Sequence, residues 1–353
     1  MAQTAKPLVS HPSLRVNNLG LTQRDYEGSM STLCAGCGHD SITAALVQSF
    51  FELEIEPHRV AKISGIGCSS KTPAYFLDEA HGFNSVHGRM PSIATGANAA
   101  NRDLTYIGIS GDGDSLSIGL GQLCHAIRRN VNMLYIIANN GVYGLTKGQF
   151  SASADVGTKA KKGEENRMGP IDPVSLAMSL GVSFVGRSFS GDKQQLMPLV
   201  KAGLSHPGFA LIDVISPCVT FNDHQGSTKS YQHTRDHIQE VVEADYVPVL
   251  HEIKAEQTSG SVTSVAMHDG SVIKFRPVAE AEGYDPTDRE AAYAYIARRQ
   301  LEGEVATGLL YIDQDSHDIH SFENTVAEPL AELKYEDLCP GNDILQELQK
   351  QWR

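Results

Sequence analysis

The chain has 353 residues, 41% of them hydrophobic and 20% charged, with a formal net charge of -13. That composition excludes disordered, collagen-like and coiled-coil proteins and leaves ample length to bury one large core or two smaller ones. There is no run of the roughly 18 to 20 apolar residues that a membrane span needs and no basic-then-apolar leader, so a cytoplasmic location with no membrane partner is expected; the acidic balance argues against a nucleic-acid partner.

In chain order, the first helix is predicted at about 40–53, where Ile42, Leu46, Phe50 and Leu53 share one face and Asp40 is the expected N-cap. Strands are then expected at 59–65, 83–88, 104–110, 132–138, 182–187 and 209–215, with helices at about 70–80, 91–101, 115–129, 172–180 and 192–205. This alternation describes βαβ units and so an α/β fold: an open, mostly parallel sheet with helices on both faces, binding its ligand beyond the C-terminal strand ends. Residues 151–169 are small, polar and charged and read as a long surface loop or lid. Beyond about 238 the character changes: Asp269-Gly270 signals a hairpin and 285–300 a capped helix. The expected division is therefore a body at 1–238 and an α+β C-terminal extension at 239–353 that packs on the body or on a partner subunit. Charge divides at the same place, with 20 basic and 19 acidic side chains in the body and 9 basic and 23 acidic in the extension.

Two constellations carry chemistry. Gly111-Asp112-Gly113 follows a predicted buried strand, where the glycines let backbone approach a ligand and Asp112 offers a hard carboxylate. A following helix would aim its amides at the same point, which suits a phosphate with a divalent cation. Asn139-Asn140 ends the next strand and can complete an oxygen-rich shell. The second constellation is Cys34, Cys37, Cys68 and Cys218, which the predicted strand and helix ends could bring to one rim. Four thiolates suit either a structural zinc or a [4Fe–4S] cluster. Cys124 reads as a core residue of an apolar helix face, and Cys339 lies in the acidic tail.

The GDG triplet and the Asn pair, separated from Gly113 by 25 residues, resemble the thiamine diphosphate signature. The resemblance places Mg²⁺ on Asp112, Asn140 and the carbonyl of Val142. Combined with the cysteines, CAGCGH at 34, GIGCSS at 65, HGR at 87, GDGD at 111, NNGVYGLTKGQ at 139 and SPCVTFN at 216 resemble, over roughly residues 30–235, the β subunits of the 2-oxoacid:ferredoxin oxidoreductases. The resemblance implies oxidative decarboxylation of a 2-oxo acid to an acyl-CoA and CO₂, reversible as reductive carboxylation, with a [4Fe–4S] cluster on Cys34, Cys37, Cys68 and Cys218. It places Ile66, Gly67, Cys68, Ser69, His87, Gly111, Gly113 and Asp114 along the diphosphate and thiazolium, with Gly144 in the same stretch and Leu145 and Thr146 bordering the reacting carbon. Lys147 stands where pyruvate-specific relatives tend to have Gly, and it resembles the 2-oxoglutarate and broad-specificity members, in which this lysine faces the substrate carboxylate. The stretch after Gln149, Phe-Ser-Ala-Ser, also departs from the usual Ala-Ser-Pro-Thr.

The other readings are a non-redox thiamine diphosphate decarboxylase with zinc on the cysteines, and a non-catalytic binding protein stapled by a metal. Only one open-sheet unit is legible, so an α subunit is expected to supply the activating glutamate, the coenzyme A site and further substrate contacts. A separate ferredoxin is the expected electron partner, docking near the cluster with help from Lys159, Lys161 and Lys162. His39 and His224 are expected to support loops or the diphosphate, and Asp114 to cap the helix that follows it.

Overall fold

The computed structural model describes residue 11 and residues 13–160, 163–247, 263–266, 272–277, 284–339 and 341–352. In chain order the body holds α1 (Gly38–Glu52), β1 (Val60–Ser64), β2 (His81–Asn84), α2 (Met90–Ala100), β3 (Thr105–Gly111), α3 (Leu120–Arg128), β4 (Met133–Asn139), the short pair β5 (Val142–Tyr143) and β6 (Gln149–Phe150), α4 (Pro173–Leu180), β7 (Phe184–Phe189), α5 (Lys193–Ser205), β8 (Phe209–Ile215) and α6 (Tyr231–His237). There follow β9 (Ile238–Val247), β10 (Thr263–Ala266), β11 (Val272–Pro277), α7 (Arg289–Leu301), β12 (Val305–Ile312), α8 (Ile319–Glu323), α9 (Tyr335–Leu338) and α10 (Gly341–Lys350).

Among the described residues the main sheet runs β10-β11-β9-β12-β7-β8-β4-β3-β1-β2. The six strands from β7 to β2 are parallel. β1, β4, β7 and β8 are buried along their whole length, as expected of near-continuous apolar runs covered on both faces. The chain steps across the sheet in one direction from β1 through β3 to β4, and in the other from β7 to β8. Crossovers of one hand therefore put α2 and α3 on one face and α5 on the other. The direction reverses between the neighbouring strands β4 and β8, the place where open sheets of this kind bind ligands.

Several local expectations change. α1 begins at Gly38, with Cys37 rather than Asp40 at the cap, because the Cys34–Cys37 turn, closed by Cys37 N–H to Cys34 O at 3.0 Å, leads straight into the helix. The expected helix at 70–80 is a 3₁₀ stretch, Cys68–Tyr75, with Pro73 inside it. It is held from below by the buried Lys62, whose Nζ donates to the carbonyls of Pro73, Phe76 and Leu77 at 2.8, 2.7 and 2.6 Å. The helix expected at 115–129 divides into a wide π-type turn, Gly113–Ile118, closed by Gly119 N–H to Asp114 O at 2.8 Å, and α3. The strand expected at 83–88 stops at Asn84, and Ser85–Gly88 leave the sheet, with Gly88 at φ +67°.

Cys124 on α3 is half-buried rather than a core residue. The 151–169 segment is tied down more firmly than a lid: Ser151, Ser153, Ala154 and Asn166 are buried, and the Asn166 amide donates to the carbonyls of Ala154, Asp155 and Met168. Asp269-Gly270 lies outside the described residues, but the strands flanking it, β10 and β11, pair antiparallel. Past residue 238 the sheet continues: β12 pairs antiparallel with β7 and parallel with β9. The helix expected at 285–300 is α7, which begins later, at Arg289, because the N-cap is Asp288, whose side chain accepts from Ala291 N–H at 3.0 Å. No helix among the described residues is long and apolar enough to cross a membrane.

Candidate active site

A cavity of about 480 Å³ opens beyond the C-terminal ends of β1, β3 and β4. Its wall comes from Ile66–Ser69 after β1, Gly111–Asp114 after β3, Asn140 after β4, and the turn from Val142 to Thr146. The predicted residues Ile66, Gly67, Cys68, Ser69, His87, Gly111, Asp112, Gly113, Asp114, Asn140, Val142, Gly144, Leu145 and Thr146 all line it. Lys147 does not: it is exposed, one residue beyond the wall, at φ +78°. Its N–H closes the turn onto Gly144 O at 3.0 Å.

The lining holds together through backbone close approach and buried hydrogen bonds. The Tyr143 ring lies over Gly113, where a Cβ would come within 2.5 Å of it, and the phenol donates to Gly113 O at 2.8 Å. One oxygen of the buried Asp112 carboxylate, Oδ2, accepts from Ser151 and, at 2.6 Å, from Ser153. The other, Oδ1, accepts from Asn140 N–H at 3.3 Å. Asn140 Oδ1 accepts from Val142 N–H at 3.1 Å. Asp114 does not cap the segment after it. Its oxygens accept from Gly88 N–H at 2.7 Å and from Ser110 Oγ at 2.8 Å, tying the end of β3 to the loop that carries His87.

The cysteines gather beside the cavity. Cys68 is in its wall, and a Cβ placed on Gly144 would meet the Cys68 and Cys218 sulfurs at 3.4 and 3.7 Å. Burial pushes the Cys37 thiol up to about 11, helped by the charges of Cys218, Asp40 and Cys68. Cys68 is raised by burial, then by Cys218 and Cys34. Cys37 and Cys68 are thus each raised by other cysteines of the set, a repulsion that cationic ligation would relieve. Among the described residues no three His, Cys, Asp or Glu side chains stand as a group for a single metal ion.

His39 lines the cavity from the first turn of α1, with Nδ1 2.6 Å from Ser216 Oγ. Burial lowers its pKa from 6.5 to about 4, so the ring is neutral at neutral pH. As pH falls below 6.5 the unfolded chain protonates here and the folded chain does not until about 4, so stability declines across that window, by about 2 kcal/mol between pH 7 and pH 5. Urea melts at both pH values should show a smaller loss for His39→Gln than for the unaltered chain; equal losses would assign the acid sensitivity to other groups. His224, by contrast, is exposed on a loop, where its Nδ1 pairs with Gln225 O, and it does not line the cavity.

Ile118, Tyr143 and Gln149 also line the cavity, and Ser151, Ser153 and Ser216 support it. Tyr143 and Gln149 sit inside a recognisable motif and could have been picked from it. Nothing local to the serines marks them, because their partners lie 39, 41 and 177 residues away.

Residues 65–214, which contain most of this wall, match the family described as the C-terminal thiamine pyrophosphate-binding domain of thiamine pyrophosphate enzymes. The chain is 43% identical over 203 residues to the 2-oxoacid:ferredoxin oxidoreductase subunit beta of Saccharolobus solfataricus, covering 57% of this chain and 66% of that one. With the 2-oxoglutarate oxidoreductase subunit KorB of Mycobacterium tuberculosis it shares 43% identity, over 54% of this chain and 51% of the relative. The 2-oxoglutarate synthase subunit KorB of Methanocaldococcus jannaschii is 36% identical, over 53% of this chain and 69% of its own length. The matches thus span about half to two thirds of these relatives' lengths. A solved structure of 2-oxoglutarate:ferredoxin oxidoreductase from Magnetococcus marinus, with 2-oxoglutarate, coenzyme A and succinyl-CoA bound, superposes with a TM-score of 0.70 at 29% identity, over 89% of this chain and 92% of that one. The chain belongs to the β-subunit family of the 2-oxoacid:ferredoxin oxidoreductases.

Proposed function

We propose that the chain is the thiamine diphosphate-binding half of an enzyme that converts a 2-oxo acid, 2-oxoglutarate favoured, and coenzyme A to acyl-CoA and CO₂, with two electrons passing to ferredoxin. The observation that carries this is the meeting of Asp112, Asn140 and Val142 with Cys68 around one cavity. The donor set fits a magnesium diphosphate: a carboxylate, a side-chain amide and a backbone carbonyl are all hard oxygen ligands. Gly111 and Gly113 both line the cavity, and the missing side chain of Gly113 lets the Tyr143 ring close against the wall. Thiamine diphosphate supplies the electron sink for cleaving the bond between a carbonyl carbon and its carboxylate. Around it, neutral His39 offers a ring that carries no charge, and Leu145 and Thr146 border the space for the substrate. Lys147, next in sequence, is the cation proposed to meet the second carboxylate of 2-oxoglutarate.

For the four cysteines the proposed group is a [4Fe–4S] cluster. Ligand sulfurs on a lone zinc each lie about 2.3 Å from the metal, a tighter gathering than a four-iron cube requires. An α subunit is proposed to cover the cavity, whose lining residues Ile118 and Leu145 are 44% and 51% exposed, with Val86, next in sequence to the lining His87, 68% exposed, apolar surface of the kind that marks an interface. Of the lysines proposed to meet ferredoxin, Lys159 is exposed, while Lys161 and Lys162 lie outside the described residues. A cytoplasmic location accords with a ferredoxin partner and with cysteines kept free for ligation.

Purified anaerobically with its partner subunit, the protein should be brown, carry about four iron atoms per chain, and oxidise 2-oxoglutarate with a low-potential acceptor. Cys218→Ser should lose most of that iron. A colourless protein with stoichiometric zinc, or full turnover by this chain alone, would overturn the reading.

A further inference from the structure

Resting on that reading of the cavity, a further role emerges from the residues behind Asp112. Ser151 and Ser153 both reach Oδ2 of this carboxylate, and among the described residues Oδ1 receives only the long N–H contact from Asn140. Ser153 has one proton and two acceptors in reach, Asp112 Oδ2 at 2.6 Å and Asn139 Oδ1 at 2.9 Å. The carboxylate oxygen is both the nearer acceptor and the stronger one, and takes the proton.

The contacts continue inward. Asn139 Nδ2 donates to Asp213 Oδ1 at 3.0 Å, and Arg187 Nε donates to Asp213 Oδ2 at 2.8 Å. Arg187 also pairs with Asp172, the N-cap of α4. Ser151, Ser153, Asn139, Asp213 and Arg187 are all at most 5% exposed, so water competes with none of these bonds. The two lone pairs of Oδ2 are thus taken by hydroxyl donors, while Oδ1 keeps capacity toward the cavity.

We propose that Ser151 and Ser153 are positioning residues that hold Oδ2 of Asp112 and so present Oδ1 to the divalent cation of the diphosphate. Without the serines the carboxylate can turn about its own axis, and the cation must then order it on binding.

The test is a calorimetric titration of thiamine diphosphate into the complex of the full chain with its partner subunit, repeated over a range of Mg²⁺ concentrations. Ser153→Ala should raise the half-saturating Mg²⁺ about tenfold, and Ser153→Thr, which keeps the hydroxyl, should stay within about threefold of the unaltered protein. A role in stability alone would lower the cofactor-free melting temperature without moving the Mg²⁺ dependence. An unchanged Mg²⁺ requirement in Ser153→Ala would overturn the inference, as would equal losses in the Ala and Thr variants. If Ser153→Ala does not fold, Ser151→Ala probes the same oxygen. Asp112→Asn separates the two layers of argument: if it binds cofactor normally, the reading of the cavity fails, whereas a dead Asp112→Asn beside a normal Ser153→Ala removes only the role of the serines.

Discussion

Asp112→Ala is expected to weaken thiamine diphosphate binding in Mg²⁺ by at least about 100-fold, the scale set by losing a charged ligand to a divalent cation. The fold should survive. The carboxylate's partners, Ser151 and Ser153, lie 3.2 Å apart and can bond to each other once it is gone, so no hydroxyl is left without a partner. Asn140 N–H loses an acceptor, but the contact is long at 3.3 Å. Calorimetric titration alongside a urea melt of the cofactor-free protein separates the two effects. Binding within threefold of the unaltered protein would show that the cavity does not hold the diphosphate through this residue.

The second large effect belongs to Arg187→Met, for which a loss of about 3 to 5 kcal/mol in unfolding free energy is expected, because removing one partner of a buried ionic group strands the others. The guanidinium lies in β7 between two carboxylates, Asp172 and Asp213. Asp213 is fully enclosed, and burial raises its pKa, opposed by the arginine charge and reinforced by Asp172. Asp172 lies below the usual carboxylate range: burial opposes this, but Arg187 and the Ser175 N–H prevail. Without Arg187, Asp213 would be held only by the Asn139 amide and would fold as the neutral acid. The variant's loss of stability should therefore deepen as pH rises from 5 to 8, while the unaltered protein changes less over that range. A loss under about 1 kcal/mol at pH 7, measured by chemical denaturation, would contradict the assignment of a buried ionic network.

How much of this could be read from the chain follows from the range of the forces involved. The buried parallel strands announce themselves: FALIDVI at 209–215 is apolar but for Asp213, with Ile212, Val214 and Ile215 β-branched, and its strand matches to the residue. The Asp172 and Asp192 caps are equally local, each side chain accepting from the N–H three residues on. The cavity wall was legible because its residues sit at strand ends, where sequence motif and position in the sheet coincide. What was not legible depends on distant partners. The 3₁₀ stretch after Cys68 has a helix-like pattern, but Lys62 on β1 draws its carbonyls inward. The wide turn at Gly113–Ile118 reflects the approach of Gly88, where a Cβ would meet the Gly119 backbone at 2.7 Å. Lys147 shows the reverse limit, since the motif that singles it out carries no information on where its side chain stands before a partner or substrate is in place.

The order of strands at the far end of the sheet bears on how the chain is assembled during synthesis. β9 is made before β12, yet among the described residues backbone pairing joins it to the body only through β12, which lies between it and β7. While residues up to 304 emerge, β9 and β11 can pair with each other but have no strand through which to join the body. The edge of β7 is bare over the same interval. On the ribosome, at about 5 to 20 residues per second, the roughly 65 residues between the starts of β9 and β12 represent several seconds with two unsatisfied strand edges in one nascent chain. Strand order alone thus leaves these two edges open until β12 is made and closes both at once.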